Sequence, residues 1–185
     1  MPDTDDVLGG LTPYYAEDFN LINPSVEMSA LLDIFKQHFI TEGVLLEGQQ
    51  IWIEQKRSNI QLFYAFPYTF VHVITQELKN GQRRFDQARA KRVHWIKPIL
   101  VNCADARVYV FERLHDKTRK PQIYFWFKQL SYLVILRSLN DKKQLVTAFC
   151  VEANKARQLE RWWKAGVLNK KPHIMCGVRN LRHCD

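Results

Sequence analysis

Apolar side chains return every three or four positions between residues 26 and 39. Met28, Leu31, Leu32, Phe35 and Phe39 fall on one face, which predicts an amphipathic helix. Residues 1–25 show no sustained period and read as an irregular arm. Short stretches at 44–47, 50–55 and 60–65 read as strands, with a turn at Glu47-Gly48-Gln49 between the first two. A helix is expected over 69–78, with Phe70, Val73 and Ile74 on its apolar arc and Asn80-Gly81 as its stop. A second helix is expected over 84–97, ahead of Pro98, with Asp86 in its first turn, where a carboxylate suits the helix dipole.

From residue 107 onward the pattern changes to aromatic and β-branched runs at 108–113, 123–127, 132–139 and 144–152. The connections are too short for crossover helices, so an antiparallel meander is the economical arrangement. Residues 155–167 predict a last helix, with Ala156, Leu159, Trp163 and Val167 inward and Arg157, Arg161 and Lys164 outward. The expected class is therefore α+β: a four-stranded antiparallel sheet packed against helices, with an N-terminal helical and short-strand extension. The expected divisions are an acidic extension over 1–60, a central domain over 61–170 and a basic tail over 171–185.

The chain has 185 residues, of which 46% are apolar and 25% charged, enough for a packed core. Its apolar runs fall far short of the roughly 20 residues that a membrane span needs. The opening Met1-Pro2-Asp3-Thr4 has no basic, then apolar, leader pattern, so a cytoplasmic protein with no membrane partner is expected. Four cysteines do not make a disulfide scaffold.

Charge changes the picture more. Residues 1–54 carry ten acids and one lysine, a net of −9, whereas residues 55–185 carry a net of +17. A field of that size draws in a polyanion, with nucleic acid the commonest candidate. The acidic part is suited to pack against or shield the basic part. The plainer alternative is that the asymmetry serves solubility alone.

Several residues then stand out. On the 84–97 helix, Arg92 falls within the arc of Phe85, Ala88, Trp95, Ile96 and Ile99. A guanidinium so placed must pair with a carboxylate (Glu112 and Glu152 are the candidates), bind carbonyls, or take an anionic ligand. His72 falls opposite the apolar arc of its helix, where an imidazole can move protons near neutrality. A tight turn over 140–143 would set Leu136 against Thr147 and Arg137 against Val146. Thr147 would then share a face with Tyr132, Val134 and Leu136, and Arg137 would lie on the other face; a slip or bulge reverses this. Alternating Tyr124 and Trp126 would offer stacking surfaces for unpaired bases if exposed, or core if not. His173, Cys176, His183 and Cys184 match no strong zinc spacing, and phosphate-loop, dinucleotide and nucleophile-elbow motifs are absent. No metal or cofactor is expected.

Five segments carry a resemblance: FPYTFVHVIT (66–75), RRFDQARAKRVHWIKPIL (83–100), IYFWF (123–127), YLVILR (132–137) and KQLVTAFCVE (143–152). Together, residues 66–152 resemble the phage-associated members of the barnase–EndoU–colicin–RelE (BECR) superfamily of nuclease-like domains. The resemblance implies an α+β domain and a metal-independent endoribonuclease acting as a toxin or host-interference factor. It singles out His72, Arg92 and Thr147, and sets Arg137 where that strand often ends in a polar or charged residue. Thr75-Gln76 stands where a glycine is common, a departure from the pattern.

In such chemistry His72 would transfer the proton, Arg92 and Arg137 would contact phosphate, and Thr147 or Tyr132 would orient the groups. RNA is the expected partner, with a protein inhibitor or a phage or host protein as a further one. The competing functions are a nucleic-acid-binding protein without turnover and a protein-interaction module. The oligomeric state is not legible in the chain.

Overall fold

The computed structural model describes residues 6–14, 24–60, 63–140 and 142–165. Its strands are β1 (Leu45–Leu46), β2 (Gln49–Trp52), β3 (Thr75–Glu77), β4 (Arg83–Phe85), β5 (Val108–Leu114), β6 (Pro121–Phe127), β7 (Tyr132–Leu139) and β8 (Lys142–Cys150). Its helices are α1 (Pro24–Lys36), α2 (Tyr68–Ile74), α3 (Gln87–Ala90), α4 (Ile96–Val101) and α5 (Ala153–Ala165). A π-helical turn follows α1 over Gln37–Thr41.

The fold mixes α and β, with a multi-stranded sheet packed against helices. The expected meander forms as β5–β6–β7–β8, all antiparallel. The sheet is larger than four strands, however. β2 joins β8 in parallel at Lys143 and Gln144, and β1 pairs with β2, giving a six-stranded mixed sheet in the order β1-β2-β8-β7-β6-β5. The hairpin between β1 and β2 turns on Glu47 and Gly48, both at positive φ (53° and 77°), as a two-residue hairpin requires.

The two faces of the sheet bury different things. Tyr132, Val134 and Leu136 of β7 join a large core with Met28, Leu31 and Phe35 of α1, Phe70 and Val73 of α2, and Ile99 of α4. Leu133 and Ile135 face the other way and pack with Phe111, Tyr124, Trp126 and Leu159 of α5. Arg157, Arg161 and Lys164 of α5 are exposed, as the sequence predicts, while Val167 lies outside the described residues.

Three local expectations are corrected. Residue 60 and residues 63–65 form no strand; Phe63 N–H donates to the Ile60 carbonyl (2.8 Å) in a turn. The 69–78 helix stops at Ile74, because Val71, Val73, Ile74 and Thr75 make a β-branched run unfavourable to helix. Thr75 turns extended (φ −126°, ψ 157°) and opens β3, so Asn80-Gly81 closes a β3–β4 hairpin instead of a helix.

The 84–97 helix is also broken. Arg84 and Phe85 are taken by β4, and Asp86 is an N-cap accepting from Arg89 N–H (3.1 Å), so helix starts only at Gln87. It breaks again at Arg92 (φ −122°, ψ 13°), and a 3-10 turn over Val93–Trp95 leads into α4. Pro98 lies in the first turn of α4, where a missing N–H costs little.

Candidate active site

α2 buries Thr69, Phe70, Val71, Val73 and Ile74 and leaves Tyr68 and His72 on its outer side. Spaced four apart, those two rings meet at a centroid distance of 4.2 Å. The β3–β4 hairpin stands beside them. Between helix and hairpin lies a cleft of about 550 Å³, with Asn59, Tyr68, His72, Glu77, Gln82 and Arg83 on its walls.

Two arginines converge on one backbone carbonyl at its edge. Arg83 Nε donates to Thr75 Oγ1 (2.8 Å) and its Nη2 to the Thr75 carbonyl (3.0 Å). Arg89 Nη1 donates to that same carbonyl (2.8 Å). Their side chains are only 10% and 14% exposed, so neither charge is well hydrated. Burial lowers both guanidinium pKa values, and Arg89 lowers that of Arg83 further. Their carboxylate partners differ. Asp86 sits 3.1 Å from Arg89 Nε and is itself partly covered, whereas Glu77 is 66% exposed and 3.4 Å from Arg83. The Glu77 pair is the weaker of the two, being longer and screened by solvent.

His72 takes its character from these surroundings. Burial, then the charges of Arg83 and Arg89, lowers its pKa to about 4, from an ordinary value near 6.5. At neutral pH the imidazole is uncharged and can accept a proton. β8 secures the helix from below, where Thr147 Oγ1 donates to the His72 carbonyl (3.2 Å).

Of the residues singled out by sequence, His72 and Thr147 are thus brought together. Arg92 is not in the cleft. With the helix broken, it leaves the apolar arc, donates to the Ala88 carbonyl (2.8 Å) and lies 5.0 Å over the Trp95 ring. Neither Glu112 nor Glu152 is its partner; carbonyl binding, one of the three alternatives, is what it does. Tyr132 is fully buried, its ring edge-on to Trp95 and its hydroxyl donating to the Arg92 carbonyl (3.2 Å). Burial raises the Tyr132 pKa further above its ordinary value, so the phenol stays protonated.

Arg137 stands on β7 opposite Gln122 and Gln144, away from the cleft walls. The register differs from expectation because the last turn is tighter: Leu139 pairs with Lys142, and a bulge at Ile135/Leu136 follows. Thr147 consequently faces Ile135, not Leu136, and Arg137 faces Gln144, not Val146.

Sequence reasoning missed Arg83, Arg89, Tyr68 and Glu77. The available signal was the i, i+4 spacing of Tyr68 and His72 and the Asn80-Gly81 turn, which folds the RRFDQAR stretch (83–89) back beside them. Among the described residues no three His, Cys, Asp or Glu side chains are grouped as metal ligands would be. His173, Cys176, His183 and Cys184 lie outside the described residues. No described helix is long and apolar enough to cross a membrane. Comparison with family models, with curated proteins and with solved structures gives no match.

Proposed function

We propose that the cleft between α2 and the β3–β4 hairpin binds an RNA phosphodiester and cleaves it without a metal ion. The observation that carries this reading is a half-buried, uncharged His72 in an open cleft, with poorly hydrated Arg83 on the cleft wall and Arg89 joined to it through the Thr75 carbonyl. His72 takes the proton from a ribose 2′-OH, the oxygen attacks the adjacent phosphorus, and the bond to the 5′ oxygen breaks. The products are a 2′,3′-cyclic phosphate and a 5′-hydroxyl. Arg83 and Arg89 stabilise charge on the phosphoryl oxygens, and Tyr68 offers an O–H on the cleft wall for the leaving oxygen.

A low pKa alone makes a weak base. Burial is the larger cause of that low value, and the two arginines add to it; the negative charge of a bound phosphate offsets the arginines' share and so strengthens the base in part. Arg83 and Arg89 thus replace Arg92 and Arg137 as the phosphate ligands of this reading. The resemblance of residues 66–152 to BECR nuclease-like domains supports it at His72 and Thr147, and adds a role as a toxin of a phage or other mobile element.

The test is incubation with single-stranded RNA in EDTA, with analysis of product ends. Cyclic-phosphate ends are expected, with DNA left intact because it lacks the 2′-OH. His72→Ala should lower the rate about 10²–10⁴-fold, the usual worth of a general base. Intact RNA, or equal cleavage by His72→Ala, overturns the reading. RNA bound by the wild type but never cut favours a binding protein instead.

A further inference from the structure

The register of the meander sets four polar residues in one row on the α5 side of the sheet. Arg113 of β5 faces Gln122 of β6, Gln122 faces Arg137 of β7, and Arg137 faces Gln144 of β8. The next residues along this face are apolar: Phe111, Tyr124 and Ile135 belong to the α5 cluster. The row therefore marks where that cluster ends and a polar, cationic rim begins. Its two arginines stand two strands apart, about 10 Å between backbones, so both side chains reach the space above Gln122.

Several features of this rim fit a ligand better than a satisfied structural network. Arg113 Nη1 and Arg137 Nε are both buried from solvent without a hydrogen-bond partner among the described residues. Gln122 is 4% exposed, and its Oε1 is held by the Tyr124 hydroxyl (3.0 Å). A third cation closes the group: Arg113 lies 3.7 Å over the Trp162 ring, and the Lys155 ammonium lies 4.5 Å from the same ring. Burial, then the Arg113 charge, lowers the Lys155 pKa. The carboxylate at hand is Asp116, bound to Arg113 Nη2 at 2.5 Å and 68% exposed. Lys155 Nζ also donates to the neutral Gln158 Oε1 (2.8 Å), so among the described residues the ion pair recorded for these three cations is the one between Arg113 and solvated Asp116.

We propose that Arg113, Arg137 and Lys155, arranged around Gln122 and Trp162, form an oxyanion site for a phosphate group, separate from the His72 cleft. A tetrahedral anion offers acceptors to donors arriving from two strands and a helix, which a flat carboxylate does less well. The phosphate comes either from an RNA strand that continues beyond the cleft or from a small phosphorylated ligand. The proposal does not depend on cleavage.

Trp162 reports on the site directly, because it stacks on Arg113. Protein labelled with 5-fluorotryptophan, its Trp162 resonance assigned with Trp162→Phe, is titrated with inorganic phosphate against sodium chloride at equal ionic strength. It is then titrated with a short oligouridylate. A saturable shift of the Trp162 signal with phosphate is expected. Arg137→Gln and Arg113→Gln should each weaken it about ten-fold or more, and Arg83→Gln in the cleft should leave it unchanged.

Saturation by oligouridylate at far lower concentration than phosphate identifies the strand as the source; saturation by phosphate alone identifies a small ligand. In the strand case, the double variant Arg113→Gln/Lys155→Gln should reduce the slope of log affinity against log salt by about 1.4, for two lost contacts. A Trp162 signal that ignores both ligands, or follows chloride equally, overturns the proposal. So does an unchanged response in a folded Arg137→Gln protein. RNA cleavage that persists in Arg137→Gln leaves the cleft reading intact, so the two fail separately.

Discussion

At the scale of single residues, burial sets what each ionisable group can do. His72 is half-covered and stands beside Arg83 and Arg89, so the folded protein keeps it uncharged down to about pH 4. The unfolded chain takes that proton near pH 6.5. Between those values the unfolded state binds more protons, and stability therefore falls as pH is lowered through the window. His38 adds to the same trend: burial, then Lys97 and His94, lowers its pKa to about 4. Urea unfolding at pH 7 and pH 5 should accordingly show a substantial acid loss in the wild type and a smaller one in His72→Gln, which retains only the other contributions. An identical loss in both proteins would mean that His72 titrates normally in the fold and that the uncharged base of the cleavage reading is absent.

At the scale of elements, what could be read from the sequence depended on whether a segment's fate was decided locally. The β5–β8 meander and α5 were legible because their periodicities match the faces they bury: Leu133 and Ile135 toward α5, Tyr132, Val134 and Leu136 toward the main core. Segment 69–97 was not. Its apolar spacing suits a helix, but Thr75 and Phe85 are drawn into pairing with each other, and no helical period records a partner ten residues away. The broken helix sets Arg92 away from the cleft and brings Arg83 to its wall, while His72 keeps its expected place on the outer side of α2. Asp86 is the hinge of the arrangement, ending β4, capping α3 and pairing with Arg89. Asp86→Asn keeps a good cap but removes the ion pair; Asp86→Ala removes both. The alanine variant should be less stable than the asparagine one by about 0.5–2 kcal/mol, measured by chemical unfolding. On the proposed reading of the cleft, the asparagine variant should bind RNA more tightly than the wild type in a titration, with Arg89 no longer neutralised. Equal stabilities would show that the cap contributes nothing.

At the scale of the whole molecule, the contrast between an acidic first 54 residues and a basic remainder is organised by specific pairs. Asp6 binds Arg107, Glu42 binds Lys97, and Glu47 approaches Lys143 (3.6 Å). The acidic part therefore packs on the basic part and neutralises particular cations, none of which lies on the cleft wall or in the row of Arg113 and Arg137. The first of these pairs anchors the arm of residues 6–14. Arg107 donates to both Asp6 oxygens (3.0 and 2.6 Å), His94 Nε2 and Trp95 Nε1 donate to the Thr12 carbonyl (2.9 and 2.8 Å), and Tyr14 N–H donates to the Lys91 carbonyl (2.8 Å). The Arg107 bonds, then the Gly9 amide, lower the Asp6 pKa to about 2. For a carboxylate shifted this way the stabilisation is complete above its ordinary value near 3.8 and is lost as pH falls toward 2. The arm should therefore loosen over that interval, ahead of the core. Amide exchange at Gly10 and Tyr14, corrected for intrinsic rates, should accelerate there relative to amides of β6 and β7. In Asp6→Asn both amides should already exchange fast at pH 7 and gain little more on acidification. Exchange at Gly10 and Tyr14 that matches the wild type in Asp6→Asn would mean that the two bonds to Thr12 hold the arm without the ion pair.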